Sequence, residues 1–341
     1  MMKMKKLRVG QIGTLHDHSQ GKLACAAKFP DIFEIVGIVP DSDETIAEAR
    51  ARGYENFTYL TREQLQKTKP FCDYPLMTEE QLYNAGCDLI LVEGFEYDLV
   101  PTAMRCIENG IPVHMDKPAG RDLSEFERLI EAARRRSLPL QLAYMYRYNP
   151  AVIDCVRRIS RGELGDIINV AAIMNIEYDV TKRNWLNQFD AGMMFFLGCH
   201  MVDLVHLVRG VPDSITPYLT VCPDGGNRAV DGSSAVFTYP NGIAFVQSNG
   251  NEVSGFQRRQ LVVSGTCGTY EIRPLEWQPR ALISTAGNHT EPLEFPSIGS
   301  SRYDAMLLDF AAMVRGETEN RFDYDYELDT QKMVLAACGL L

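Results

Sequence analysis

Along the first third of the chain, apolar residues fall into short strand-like runs separated by stripes of helical spacing. Leu7 to Gly13 reads as a strand closing on a glycine, and Lys22 to Phe29 as a short amphipathic helix with Leu23, Ala26 and Ala27 inward. Ile32 to Val39 is a second apolar strand, closed by Pro40 to Asp43, and Glu44 to Arg52 a second helix. Asp88 to Glu93 is a later strand, after which Leu99, Ala103, Met104 and Ile107 recur at helical spacing until Gly110 stops the helix. Ile111, Val113 and Met115 then alternate as a buried strand. Pro118 forbids that strand from continuing, which puts Lys117 at its carboxyl end. Strands joined by helical crossovers are parallel, so residues 1–120 are expected to form a doubly wound α/β domain.

The pattern then changes. Ser124-Glu125-Phe126-Glu127 matches a capping box, and Phe126, Ile130 and Ala133 give one apolar face through Arg136. Leu138 to Tyr146 reads as a strand that ends in Arg147-Tyr148-Asn149-Pro150. There Asn149 is the expected N-cap, and Pro150 the first residue of a helix stopped by Gly162. Ile167 to Val180, Ile215 to Val221, Ala235 to Tyr239, Ile243 to Ser248, Gln260 to Ser264 and Thr269 to Arg273 are strand-like, with a hairpin turn at Tyr239-Pro240-Asn241-Gly242. His200 opens a helix, Tyr303 to Phe310 marks a late one, and Glu327 begins another. Residues 121–341 are therefore expected to form a second, α+β domain with a mostly antiparallel open sheet, its C-terminal helices packing back on the first domain.

Length and charge narrow the class. At 341 residues, two domains can each hold a core, and a net charge of -11 disfavours nucleic acid and anionic membranes as partners. The longest apolar tract, Ala191 to Val208, is interrupted by His200, Asp203 and His206, so no membrane span is expected. No secretory signal is visible at the start. The nine cysteines include no C-x-x-C pair and read as thiols of a reducing, cytoplasmic compartment.

Candidate chemistry gathers at a few points. A dinucleotide fingerprint wants G-x-G-x-x-G after the first strand, yet only Gly13 is present, followed by Thr14, Leu15, His16, Asp17 and His18. Asp41 or Asp43 stands where an acid would meet an adenosine ribose. The next arginine is Arg50, which leans toward NAD rather than NADP. His16 and His18 have no companion at ligand spacing apart from Asp17 and read as a helix cap or as facing a phosphate; no metal is expected. His200 and Asp203 are helical neighbours, whereas His206 lies about 120° further round and cannot share an ion with His200. Lys117 and His200 each admit a structural role beside a functional one.

Taken together, Asp116-Lys117-Pro118, Arg147-Tyr148-Asn149-Pro150, Gly162-Glu163-Leu164-Gly165 and Gly198-Cys199-His200-Met201-Val202-Asp203 resemble the ordered signatures of the glucose-fructose oxidoreductase and inositol dehydrogenase family. The resemblance covers nearly the whole chain. It implies an N-terminal Rossmann domain and a C-terminal domain whose open sheet makes homodimers or homotetramers. It also implies NAD, or possibly NADP, bound across a cleft with a sugar, sugar derivative or cyclitol as substrate. Carried over by residue, Lys117 polarises and His200 is the acid/base. Gly13, Thr14, Leu15, Asp41, Gly94, Glu96, Asp116 and Lys117 would line the cofactor, and Tyr146, Arg147, Asn149, Trp185 and Asp203 the substrate. The chain departs from the family at Phe196, where an Asp is usual four residues before the histidine. It departs again at Gly94-Phe95-Glu96, where a T-P-N turn is usual, and at the eroded glycine loop. Asp190 and Asp203 are candidates to replace the lost acid. An oxidoreductase acting on a secondary hydroxyl is the first reading. A glycosidase or lyase with retained NAD, and a sensor or scaffold with a degraded site, are the alternatives.

Overall fold

A computed structural model describes residues 5–51, 60–222, 224–287 and 289–341. The chain divides into two compact units, Met1–Ala143 with Tyr303–Leu328 and Tyr144–Arg302 with Asp329–Leu341.

In the first unit, β1 (Leu7–Ile12), α1 (Ser19–Lys28) and β2 (Phe33–Val39) lead into α2 (Asp43–Ala51), α3 (Arg62–Leu65) and α4 (Glu79–Asn84). Then come β3 (Leu89–Val92), α5 (Leu99–Glu108), β4 (Val113–Met115), α6 (Leu123–Arg136) and β5 (Leu140–Leu142). The end expected at Arg52 for the second helix lies outside the described residues. The five strands pair in parallel in the order β2-β1-β3-β4-β5. Every residue of β3 and β4 is buried, as a sheet covered on both faces requires. The sheet continues to Leu142, past the boundary expected at residue 120. Beyond β5, Ala143 still donates to Met115 O at 2.9 Å. The strand expected over 138–146 stops because the chain turns out of the sheet through a tight helical turn, Met145–Tyr148. α6 is capped by Asp122 rather than Ser124: the Asp122 carboxylate accepts from Ser124 N at 2.9 Å and Glu125 N at 3.3 Å.

The second unit opens with α7 (Pro150–Ser160), capped by Asn149 as expected, whose side chain accepts from Ala151 N. It continues through β6 (Ile167–Ile173), α8 (Val180–Trp185), α9 (Cys199–Arg209), β7 (Ser214–Thr220), β8 (Gly232–Tyr239), β9 (Gly242–Asn249), β10 (Gln260–Gly265), β11 (Gly268–Ile272), β12 (Arg280–Thr285) and β13 (His289–Glu294). These strands form one sheet in the order β13-β12-β11-β10-β6-β9-β8-β7, antiparallel except for the β6–β9 pair. Val170, Ala172, Ala235, Phe237, Ala244, Val246, Leu261 and Val263 point inward and are fully buried, and α9 packs over β6 and β9. On the opposite face, one row of register partners crosses the sheet: Leu282, Glu271, Val262, Ala171, Phe245, Val236 and Thr216. β12 and β13 extend the sheet beyond the strands expected from pattern. β13 is an exposed edge strand carrying Pro292, so its sequence shows no apolar alternation.

α10 (Asp304–Val314) returns to the first unit, where Asp304 bonds Cys25 Sγ at 3.0 Å and Lys28 Nζ at 2.6 Å and Phe310 meets the His114 ring. α11 spans Tyr324–Ala337. Among the described residues, no helix is long and apolar enough to cross a membrane.

Candidate functional site

In the first unit, the candidate residues collect at the carboxyl ends of the parallel strands. Gly13 closes β1 with φ +91°, and a Cβ there would fall 2.1 Å from Gly94 N, so the ends of β1 and β3 touch through bare backbone. The amides of Thr14 and Leu15 donate to Asp41 Oδ2 at 2.6 and 3.1 Å, and the Thr14 hydroxyl adds a third bond at 3.2 Å. Burial outweighs these bonds and pushes the Asp41 carboxyl up to about 6. A cavity of about 380 Å³ lies against Gly13, Pro40, Asp41 and Gly94. Glu96 is buried nearby in the chain, on the loop that follows β3.

Beside this turn lies a closed polar cluster. Asp116 Oδ1 accepts from Lys117 N at 2.7 Å, which fixes the backbone from which the buried Lys117 side chain departs. The other oxygen, Oδ2, meets Lys22 Nζ at 2.6 Å, His18 Nδ1 at 3.1 Å and His16 Nδ1 at 3.2 Å. Lys22 also reaches Glu93 Oε1 at 2.8 Å, tying the ends of β3 and β4 to α1. One ammonium between two buried carboxyl groups balances only one negative charge. Burial, eased by Lys22 and reinforced by Asp116, raises Glu93 well above the usual carboxyl range. Asp116 is pressed upward by burial, yet His16, Lys22 and His18 hold it well below that range. The proton therefore resides on Glu93 and the charge on Asp116. Burial lowers His16 to about 4 and keeps it neutral.

His18 occupies the N-cap position of α1 but makes no capping bond with its side chain, which faces Asp116 instead. His16, His18 and Asp116 bring ligand atoms within 4.8 Å of one another. The Lys22 ammonium already stands on the Asp116 oxygen that a metal ion would need. Pattern reading did not single out Lys22. Its signal was its place in the buried stripe Ser19, Lys22, Leu23 and Ala26 of α1.

In the second unit, a π-helical turn, Met194–Gly198, precedes α9 and sets His200 in that helix's first turn. His200 is buried, with the rings of Tyr144 and Tyr146 perpendicular to it at 5.8 and 5.0 Å. Asp203, its expected neighbour, receives Arg147 at 2.7 and 2.9 Å. Asn149 spends its amide on Leu275 O at 2.8 Å and its oxygen on the α7 cap. The Tyr146 hydroxyl donates to Glu276, a carboxylate the sequence reading did not single out. Phe196 stacks on Phe189 at 5.5 Å and meets Trp185 edge-on at 4.9 Å. The Lys182 ammonium lies 3.5 Å from the centre of the Trp185 ring. The position where an acid is usual thus belongs to an aromatic cluster.

Comparison with known proteins agrees with this layout. A family model described as the GFO/IDH/MocA C-terminal domain matches residues 154–271. The chain is 22% identical over 236 residues to trans-1,2-dihydrobenzene-1,2-diol dehydrogenase of Xenopus laevis, covering 67% of this chain and 70% of that one. It is 24% identical over 159 residues to an NADP-dependent scyllo-inositol 2-dehydrogenase of Bacillus subtilis, covering 45% and 44%. In fold it is similar to an oxidoreductase from Agrobacterium radiobacter solved with NAD, L-tartaric acid and magnesium, with TM-score 0.81, 13% identity and coverage of 98% and 96%. It is likewise similar to levoglucosan dehydrogenase solved with NADH and levoglucosan, with TM-score 0.79, 14% identity and coverage of 98% and 97%. In its two sheets and in the matched C-terminal segment, the chain is similar to GFO/IDH/MocA proteins.

Proposed function

We propose that this chain is an NAD(P)-dependent oxidoreductase acting on a secondary hydroxyl of a sugar, sugar derivative or cyclitol. The observation that carries the reading is Lys117: a buried lysine at the carboxyl end of a parallel strand, its backbone amide held by Asp116. That edge is where doubly wound sheets bind ligands. A dinucleotide fits the residues present. Gly13 and Gly94 leave no side chain over the turn, and Asp41 lies two residues past β2 beside a cavity, as a ribose partner requires. Bound nicotinamide supplies the acceptor for the two electrons and hydrogen that leave the carbinol carbon. His200 takes the hydroxyl proton, and the Lys117 ammonium stabilises the charge that develops on the oxygen. The curated relatives support this class, being dehydrogenases of a cyclic diol and of inositol.

We further infer a homo-oligomer assembled through the outer face of the eight-stranded sheet, where Ile168, Tyr218, Ile243 and Leu282 are exposed. The nine free thiols support a reducing, cytoplasmic setting.

Incubating the protein with NAD or NADP and a panel of polyols, while following nicotinamide absorbance, tests the reading. Lys117→Ala is expected to lower kcat by about a thousandfold. Wild-type turnover by that variant would remove Lys117 from the chemistry.

A further inference from the structure

We propose that Glu276 is a positioning residue for His200, acting through Tyr146 in place of the carboxylate that Phe196 has displaced; this rests on the dehydrogenase reading. An acid/base histidine needs its ring plane held by a second group, and the family resemblance implies an Asp one helical turn earlier. Here that turn carries Phe196, whose ring is committed to Phe189 and Trp185. Asp203 is committed to Arg147. The rings of Tyr144 and Tyr146 stand at 86° and 88° to that of His200.

Each of those rings has its own anchor. The Arg147 guanidinium, paired with Asp203, lies 4.9 Å from the centre of Tyr144. Tyr146 is fixed at its far end, where its hydroxyl donates to Glu276 Oε1. Glu276 cannot drift, because Arg259 Nη1 donates to the same oxygen at 2.6 Å and Arg259 Nε binds Asn175 O at 3.2 Å. Leu275, next in the chain, donates to Arg259 O at 3.0 Å and accepts from the Asn149 amide at 2.8 Å. Tyr146, Glu276 and Arg259 are all at least 95% buried, at 2%, 3% and 4% exposure, so water does not compete for these bonds. Rotation of Tyr146 would open space against the face of His200. Glu276 prevents that rotation.

This gives Tyr146 a different duty from the one its motif suggests. Its proton is spent on Glu276, so the hydroxyl offers no donor to a substrate, and the ring is the working part. Tyr146→Phe keeps the ring and loses the anchor. It is expected to lower kcat by about tenfold or more while KM stays within about twofold. Glu276→Ala is expected to do the same, and the double variant to cost no more than the larger single one. Glu276→Gln, which retains an acceptor, should recover most of the rate. If the single losses add, or if both variants lower only the melting temperature while folded protein keeps wild-type kcat, the assignment fails.

Imidazole NMR of His200, assigned by comparison with a His200→Gln sample, provides a readout that does not need turnover. Tyr146→Phe should move or broaden the His200 ring signals, whereas unchanged signals overturn the proposal even if no substrate is found. Absence of turnover in wild-type protein with NAD and NADP, by contrast, counts against the dehydrogenase reading alone.

Discussion

Lys22 shows how much one buried charge can organise. It is fully enclosed and bridges Glu93 and Asp116, so Lys22→Met would leave an ionised Asp116 without its counter-ion. A loss of about 3–5 kcal/mol is expected in chemical denaturation. The assignment of the proton to Glu93 gives a sharper expectation. Glu93→Gln exchanges one neutral group for another and should cost under about 1 kcal/mol, whereas Asp116→Asn removes the ionised partner and should cost several times more. Equal losses would contradict the assignment. The places of Lys117 after a strand and of His200 in a helix's first turn were legible in sequence because each sits inside a contiguous motif. Lys22 and Glu276 were not, because their meaning lies in partners 71 and 130 residues away. A stripe position shows that a lysine is buried without showing what it meets.

Among elements, legibility followed burial. β3 and β4 are buried throughout and were readable as apolar runs, and α7 was readable from Asn149 and Pro150. β13 lies at an edge with mostly exposed side chains, so it carries no two-residue period. The π-helical turn before α9 likewise has no signature in a run of apolar residues that are all buried. The turn after β1 carries a prediction of its own. Thr14 and Leu15 give their amides to Asp41, whose carboxyl is raised by burial from the ordinary 3.8 to about 6. The folded protein therefore favours the protonated acid. The contribution of Asp41 to stability is fully present below 3.8 and is lost as pH rises through about 6. Asp41→Asn does not titrate, so the stability of wild type relative to this variant should fall by on the order of 2–3 kcal/mol between pH 4 and pH 7. Paired urea titrations across that range measure the difference; a constant or opposite trend would show that Asp41 is ionised at ordinary cost.

For the whole molecule, the two faces of the eight-stranded sheet differ in kind. One is covered by α9, while the other displays the row from Leu282 to Thr216, in which Val262, Ala171, Phe245 and Val236 form an unbroken apolar centre. Val262→Lys together with Val236→Lys is expected to convert the proposed oligomer to monomer in sedimentation velocity, with the circular dichroism spectrum unchanged. An unaltered sedimentation coefficient would place the assembly elsewhere. Because these side chains alternate with the core-facing ones along every strand, a polar change in the row leaves the packing of its own chain intact. Such a residue is free to vary in a solitary chain and is held fast by its copies in an assembly. With the proposed assembly, tolerance of mutation on this face would depend on concentration, and a variant silent when overproduced would fail when the chain is scarce.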